Sequence, residues 1–171
     1  MSDQKNLPKE IERKFLLKNP LTPELIENWG EKERIVQGYL SKDEDKVVRI
    51  RLTSDPHNIY RNAYLTVKGR SNGSGMTRVE IETQLEHAAA KVLLENFCGK
   101  VIDKTRYKLR VCGNIWEIDQ FHGDNEGLWV VEIELESEDQ EFVKPSFVGE
   151  EVTHDPKYTN VRLAEHPFKD W

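Results

Sequence analysis

Glu10-Ile11-Glu12-Arg13-Lys14, near the amino end of the 171-residue chain, is the stretch that decides the fold. Successive side chains of a β-strand point to opposite faces of a sheet. In a strand, Glu10, Glu12 and Lys14 would share one face. Ile11 and Arg13 would lie on the other. The stretch therefore predicts a strand with one wholly charged face.

The same alternation returns along most of the chain. Runs rich in β-branched and aromatic residues predict eight strands, over residues 11–17, 33–41, 46–53, 63–69, 76–85, 103–111, 114–122 and 128–136. Capping signals and apolar periodicity predict four helices, at residues 22–29, 86–98, 137–144 and 155–165. The spacing of the strands favours antiparallel hairpins. We therefore expect an α+β fold with one large antiparallel sheet.

Seven of these strands have one apolar face and one strongly charged face. The alternation alone favours an ordinary sheet that turns its charged face to water. Two observations favour an enclosed face. Neutral polar residues are scarce on it, and some strands carry charges of only one sign. Glu132, Glu134 and Glu136 are all acidic, whereas Arg49 and Arg51 are both basic. An enclosed face would need a water-filled lumen, because desolvating so many charges is costly.

The composition excludes several classes of protein. The net charge of −6 argues against a general nucleic-acid binder, which is usually basic. No apolar run approaches the roughly 18 residues of a membrane span, and the polar start of the chain has no signal-peptide core. Cys98 and Cys112 lack metal-site spacing and are expected to be reduced thiols. We expect one soluble, cytoplasmic domain over residues 1–171, without nucleic-acid or membrane partners, as a monomer or homodimer.

Six short motifs, in order along the chain, resemble those of the CYTH superfamily, the triphosphate tunnel metalloenzymes. They are Glu10-x-Glu12-x-Lys14, Arg49-x-Arg51, Thr66-x-Lys68, Glu80-x-Glu82, Lys104-Thr105-Arg106 and Glu132-x-Glu134. The chain is most similar to the compact bacterial inorganic tripolyphosphatases. The resemblance implies an eight-stranded antiparallel β-barrel, or tunnel, with a charged lumen. Helices would pack outside it, and one C-terminal helix would lie at a tunnel end.

The resemblance also implies roles for the charged residues. Arginine binds phosphate as a planar bidentate donor and lysine as a point charge. The positions matched to substrate binding are Lys14, Arg49, Arg51, Lys68, Lys104 and Arg106, with Arg78 and Arg110 as second choices. Mg²⁺ and Mn²⁺ prefer carboxylate, water and phosphate oxygens. The matched metal ligands are Glu10, Glu12, Glu132 and Glu134, with Glu80, Glu82 and Asp119 as further candidates.

Two positions are expected to take part in catalysis. The resembling phosphatases place a tyrosine at Tyr39, near the lysine that corresponds to Lys104. Tyr39 is thus a candidate base, and Lys104 would lower the pKa of its phenol, which is ordinarily about 10. The alternative is that Tyr39 simply packs within its strand. Lys157, Tyr158 and Asn160 match the helix that borders one tunnel end.

The activity implied is the Mg²⁺- or Mn²⁺-dependent hydrolysis of a small-molecule triphosphate, and most closely of inorganic tripolyphosphate to pyrophosphate and phosphate. Water would attack a terminal phosphoryl group while metal and cationic side chains neutralise the developing charge. Three alternatives stay open. They are a class IV-type adenylate cyclase acting on ATP, a thiamine triphosphatase, and a non-catalytic module that binds polyphosphate or nucleotides.

Overall fold

An antiparallel β-barrel forms most of the molecule, whose computed structural model describes residues 9–18, 30–43, 46–55, 57, 59–70, 72 and 76–171. The strands within these residues are β1 (Lys9–Leu17), β2 (Glu31–Asp43), β3 (Lys46–Ser54), β4 (Tyr60–Gly69), β5 (Thr77–Gln84), β6 (Ile102–Val111), β7 (Asn114–Phe121), β8 (Trp129–Glu134) and β9 (Val148–Glu151). Their order in the sheet is β5-β4-β3-β2-β6-β7-β8-β1-β9. All eight predicted strands are confirmed, with their ends moved by a few residues.

The barrel closes through β1, which pairs with three other strands. Its first residues pair with β5, so that Glu10 lies opposite Arg78. Its middle pairs with β8, so that Lys14 lies opposite Glu132. Strands β1 to β8 thus form the closed eight-stranded antiparallel barrel that was expected. The four-residue β9 was not predicted, because it is too short to show an alternation; it pairs with the end of β1 outside the barrel.

Two of the predicted helices are present in changed form. α1 (His87–Asn96) corresponds to the helix expected at residues 86–98. The helix expected at residues 155–165 is divided into a 3-10 turn (Pro156–Tyr158) and α2 (Asn160–Glu165). Thr159 separates the two, and its hydroxyl donates to the Pro156 carbonyl over 2.8 Å. The predicted helix at residues 22–29 lies outside the described residues.

The prediction of a helix at residues 137–144 is wrong. A single turn forms instead, in which the Gln140 N–H donates to the Ser137 carbonyl over 3.2 Å. The chain that follows has no regular secondary structure, and the Phe142 ring packs edge-on against Trp116, with 5.6 Å between the ring centroids. Packing of this aromatic side chain on the barrel therefore outweighs the local capping signal.

Apolar residues form three buried clusters, and two of them cover the outside of the barrel, as an inward charged face requires. Under α1 the buried residues are Ile50, Leu52, Ala63, Ala90 and Leu94. Under the chain that follows β8 they are Phe15, Tyr107, Trp116, Ile118, Val131, Ile133, Leu135 and Val148. The third cluster lies at one end of the barrel, around α2, on the strand faces that also carry Lys104, Asp119 and Glu132. Its buried residues are Tyr39, Ile102, Phe121, Leu128, Val130, Leu163 and Ala164. No helix within the described residues has the length and apolar character that a membrane span requires.

Candidate active site

Side chains from β1 to β6 and from β8 surround a cavity of about 220 Å³ inside the barrel. Its basic residues are Lys14, Arg49, Arg51, Lys68, Arg78, Lys104 and Arg106. Its acidic residues are Glu10, Glu12, Glu80, Glu82, Glu132 and Glu134. The question that alternation left open is therefore decided: the charged face points inward. Of the expected site residues, Asp119 lies behind the cavity wall and Arg110 is exposed.

Lys14 and Glu132 form the centre of one wall. The Lys14 ammonium donates to Glu132 over 2.5 Å and lies 2.8 Å from Glu12. Burial opposes the charged form of Lys14, but the two carboxylates outweigh it and raise the pKa of the lysine. Arg106 binds the other oxygen of Glu132 over 2.6 Å. The sequence places these groups on three strands, and their cross-strand register brings them together.

Asp119 anchors the two cations of β6. Its side chain is fully buried, and it accepts from Lys104 Nζ at 2.5 Å and from Arg106 Nη2 at 2.6 Å. Burial would raise the pKa of Asp119, but Arg106 and Lys104 outweigh burial and lower it. This carboxylate is therefore engaged in holding cations, and unlike the other candidate metal ligands it is not among the residues that line the cavity.

A second group of ion pairs joins β1, β4 and β5. Lys68 Nζ lies 2.9 Å from Glu10 and 2.5 Å from Glu80. Arg78 donates to Glu10 over 2.9 Å. Burial opposes ionisation of Glu10, but Lys68 and Arg78 outweigh it and hold the pKa of Glu10 below its usual range. Burial and a hydrogen bond with Glu10 raise the pKa of Glu80.

Arg49 and Arg51 face the same lumen from β3. Arg51 binds both carboxylate oxygens of Glu82, at 2.9 and 3.0 Å. Arg49 donates to the Thr66 hydroxyl over 3.1 Å, and that hydroxyl donates to Glu82 over 2.8 Å. The Nε–H groups of both arginines are shielded from solvent and have no hydrogen-bond acceptor among the described residues. The site thus retains two buried donors that can receive an anion.

The expected lowering of the Tyr39 pKa by Lys104 is wrong. Burial raises the pKa of Tyr39 to about 12, although nearby cations, Arg49 foremost, act in the opposite direction. Lys104 is bound to Asp119 instead. The Tyr39 oxygen accepts a hydrogen bond from Gln37 Nε2 at 3.0 Å. Tyr39 therefore faces the lumen as a neutral phenol near pH 7.

A family model described as the CYTH domain matches residues 8–159 of this chain. The protein belongs to the CYTH family. The membership that the six motifs indicated is thereby confirmed.

Relatives of this CYTH protein cover nearly its whole length. A protein of Acetivibrio thermocellus named inorganic triphosphatase is 43% identical over 164 residues, which are 95% of this chain and 97% of the relative. A protein of Nitrosomonas europaea with the same name is 34% identical over 159 residues, or 91% and 96% of the two chains. A crystal structure described as an inorganic triphosphatase aligns with a TM-score of 0.61 at 32% identity, over 91% of this chain and 93% of the other.

One end of the CYTH barrel lies against α2. Thr159, Asn160 and Val161 line the cavity there. Lys157 and Tyr158, which were expected beside them, interact with the carboxyl end of the chain instead. Lys157 Nζ lies 4.2 Å from the ring centroid of Trp171, and Tyr158 packs edge-on against the same ring at 5.2 Å. Of these three expected residues, Asn160 alone lines the cavity.

Two lumen contacts were missed by sequence reasoning. Gln37 is 1% exposed and holds the Tyr39 hydroxyl. Its position two residues before Tyr39, and hence on the same strand face, was the available signal. Glu117 binds Arg106. Alternation puts Glu117 on the same strand face as Asp119, but only the register of β6 and β7 shows which cation it meets.

Proposed function

We propose that this protein is an inorganic triphosphatase that hydrolyses tripolyphosphate to pyrophosphate and orthophosphate with Mg²⁺ or Mn²⁺. One observation carries the proposal: the Nε–H groups of Arg49 and Arg51 are buried beside the lumen without acceptors among the described residues. A buried donor without a partner is costly. Phosphate oxygens are acceptors that match the guanidinium group. The names of the Acetivibrio and Nitrosomonas relatives support the same activity.

The charge balance of the wall also supports a bound polyanion. Burial lowers the pKa of Arg51, Lys68 and Lys104, and a neighbouring cation lowers each of them further. A triphosphate beside these groups would favour their charged forms. We assign substrate binding to Lys14, Arg49, Arg51, Lys68, Lys104 and Arg106, with Arg78 beside them.

The carboxylates supply the oxygen donors that Mg²⁺ and Mn²⁺ prefer. Glu134 makes no ion pair with another described residue, and burial and neighbouring carboxylates, Glu117 foremost, raise its pKa. A divalent cation would relieve this repulsion and, when bound, would neutralise phosphate charge. Within the described residues no three acidic, histidine or cysteine side chains already converge on one point, because Lys14 binds two of the glutamates. We assign the metal to Glu10, Glu12, Glu132 and Glu134, with Glu80 and Glu82 as further ligands.

The residues act mainly by positioning and by neutralising charge, as phosphoryl transfer requires. Lys104 and Arg106, held by Asp119, face the phosphates with fixed orientation. Because Tyr39 keeps its proton, we assign it as a hydrogen-bond donor to a phosphate oxygen instead of a base. The free thiols Cys98 and Cys112 suit the reducing cytoplasm in which we place the protein.

The activity is tested with a substrate panel. We expect orthophosphate release from tripolyphosphate with Mg²⁺ or Mn²⁺, and no release after chelation with EDTA. ATP and thiamine triphosphate are assayed beside it, with cyclic AMP measured in the ATP reaction. A folded, metal-supplied protein that releases no phosphate from tripolyphosphate contradicts the proposal. Cyclic AMP as the main product identifies an adenylate cyclase instead.

Tyr39→Phe should lower kcat about tenfold, the effect of one lost neutral hydrogen bond. It should leave the alkaline side of the pH–rate profile unchanged between pH 7 and 10. A pKa raised to about 12 means that Tyr39 starts to lose its proton only well above this range. The measurement is kcat against pH for both proteins. An alkaline limb that is present in the wild type and absent from the variant would show that Tyr39 ionises and acts as a base.

A further inference from the structure

The lumen is neutral at the end where α2 lies. Around this end the cavity is lined by Tyr39, Val47, Thr159, Asn160 and Val161. Farther along the strands the lining is dominated by lysine, arginine and glutamate. A second cavity, lined by Glu31, Lys108 and Arg106 among others, lies at the other end of the barrel, where β2 begins. The two ends therefore differ in chemistry: one is charged, and the other is uncharged and bordered by a helix.

Asn160 has an unused hydrogen-bond acceptor at the neutral end. Its side-chain oxygen is shielded from solvent and has no partner among the described residues. The oxygens of an ionised triphosphate are acceptors too, so they cannot satisfy it. A water molecule can, because it donates two hydrogen bonds and has lone pairs left for another atom.

Asn160 is also held on a firmly anchored element. Thr159 caps the start of α2, and its hydroxyl accepts from the Arg162 N–H over 3.4 Å. Leu163, on the next turn, is fully buried. The Leu163 carbonyl accepts from the Asn125 side chain over 3.3 Å. A group on such an element can hold a small molecule in a constant orientation.

We infer that Asn160 Oδ1 holds the water that attacks the terminal phosphoryl group, an inference that rests on the proposed triphosphatase activity. Attack and departure lie roughly in line in phosphoryl transfer. The terminal phosphate therefore lies next to α2, and the pyrophosphate leaving group points toward the end where β2 begins.

The step balances without a further reactant. The water oxygen forms a bond to the terminal phosphorus as the bridging P–O bond breaks, and the bridging oxygen keeps the electron pair. One hydrogen of the water stays on orthophosphate, and the other ends on pyrophosphate. Asn160 orients the water and takes no proton, which suits a neutral amide. It contacts the reacting atom and is in this sense a catalytic residue.

The test compares Asn160→Leu, Asn160→Ala and Asn160→Asp with wild type. Leucine and alanine remove the acceptor, and kcat for tripolyphosphate should fall about 100-fold, the loss expected when a reacting group is misplaced. Affinity for imidotriphosphate, a non-hydrolysable analogue, should stay unchanged in both, because the phosphates do not contact the amide oxygen. Aspartate keeps an oxygen acceptor in the same place, so Asn160→Asp should retain most of kcat, although its charge weakens analogue binding. Asn96→Leu, at an exposed position on α1, is the control and should behave as wild type.

Three results overturn the inference. One is an unchanged kcat in both Asn160→Leu and Asn160→Ala. Another is a loss of analogue affinity in these variants as large as the loss of kcat, which would mean that Asn160 binds phosphate. The third is an Asn160→Asp protein as slow as Asn160→Leu at equal thermal stability. Lack of activity in the wild type itself would instead contradict the proposed function.

A longer chain gives an independent test of the direction of attack. With the terminal phosphate next to α2, tetrapolyphosphate should first yield orthophosphate and tripolyphosphate. Two pyrophosphates as the first products would place the attacked phosphorus in the middle of the chain and overturn the inference. Ion-exchange separation of the products at low conversion distinguishes the two results.

Discussion

Glu132→Gln is expected to lower kcat/KM for tripolyphosphate by about 10²- to 10³-fold, the range for removing one group from a preorganised charge-stabilising site. Glu132 is 6% exposed and accepts from Lys14 at 2.5 Å and from Arg106 at 2.6 Å. Glutamine keeps the shape of the side chain. It removes the negative charge that holds Lys14 and Arg106, and with it one proposed anionic ligand of the metal. The loss should therefore appear in kcat, and the Mg²⁺ concentration for half-maximal activity should rise.

The matched control is Glu136→Gln, which changes an exposed glutamate just beyond the end of β8. It should keep wild-type kcat and metal dependence. Circular dichroism melting of both variants separates loss of folding from loss of function. A folded Glu132→Gln protein with wild-type activity and metal dependence would contradict the role of Glu132.

Asp119→Asn is expected to destabilise the fold by about 3–5 kcal/mol, the usual cost of removing one partner of a buried ion pair. The fully buried carboxylate compensates Lys104 and Arg106, and asparagine leaves both cations without it. Denaturant unfolding at pH 7 measures the difference. Asp124→Asn, which changes an exposed aspartate paired with Lys169 at 2.7 Å, is the control and should change stability little.

The pH dependence of this difference follows from the direction of the pKa shift. Arg106 and Lys104 hold the pKa of Asp119 below its usual value in the folded protein, against the opposing effect of burial. Its contribution is therefore complete above the unfolded-state pKa of about 4 and is lost as the pH falls through the lower folded pKa. The gap between wild type and Asp119→Asn should shrink in acid. A gap that is constant from pH 7 down to pH 3 would show that packing, and not charge, explains the loss.

Strand positions and strand faces could be predicted from the sequence because a strand's alternation is local. Glu10, Glu12 and Lys14 share a face in the barrel, as the period of two required. Helix prediction was less successful, because tertiary contacts outweigh short local signals. Ser137 and Gln140 form a single turn instead of a helix, and Phe142 beyond it packs against Trp116.

The sequence was enough to identify the residues of the site, but not the ion pairs that they form. Strand alternation placed every charged residue of the cavity lining on the inward face, but it did not show which cation Asp119 meets. In the barrel Asp119 and Lys104 bind each other. A list of charges on strands does not specify which opposite charges meet, since that depends on the register and on the closure of the sheet.

By itself the sequence determined the alternation, the sorting of charge by strand and the membership in the CYTH family. These properties depend on spacing along the chain. Tertiary structure decided what alternation left open, namely that the charged face is enclosed. It also showed that Lys68 meets Glu10 across 58 positions of sequence and that Asn160 lines the cavity. The physical reason is closure: β1 pairs with β5 and β8, and this brings distant side chains into one lumen where their desolvated charges must be paired.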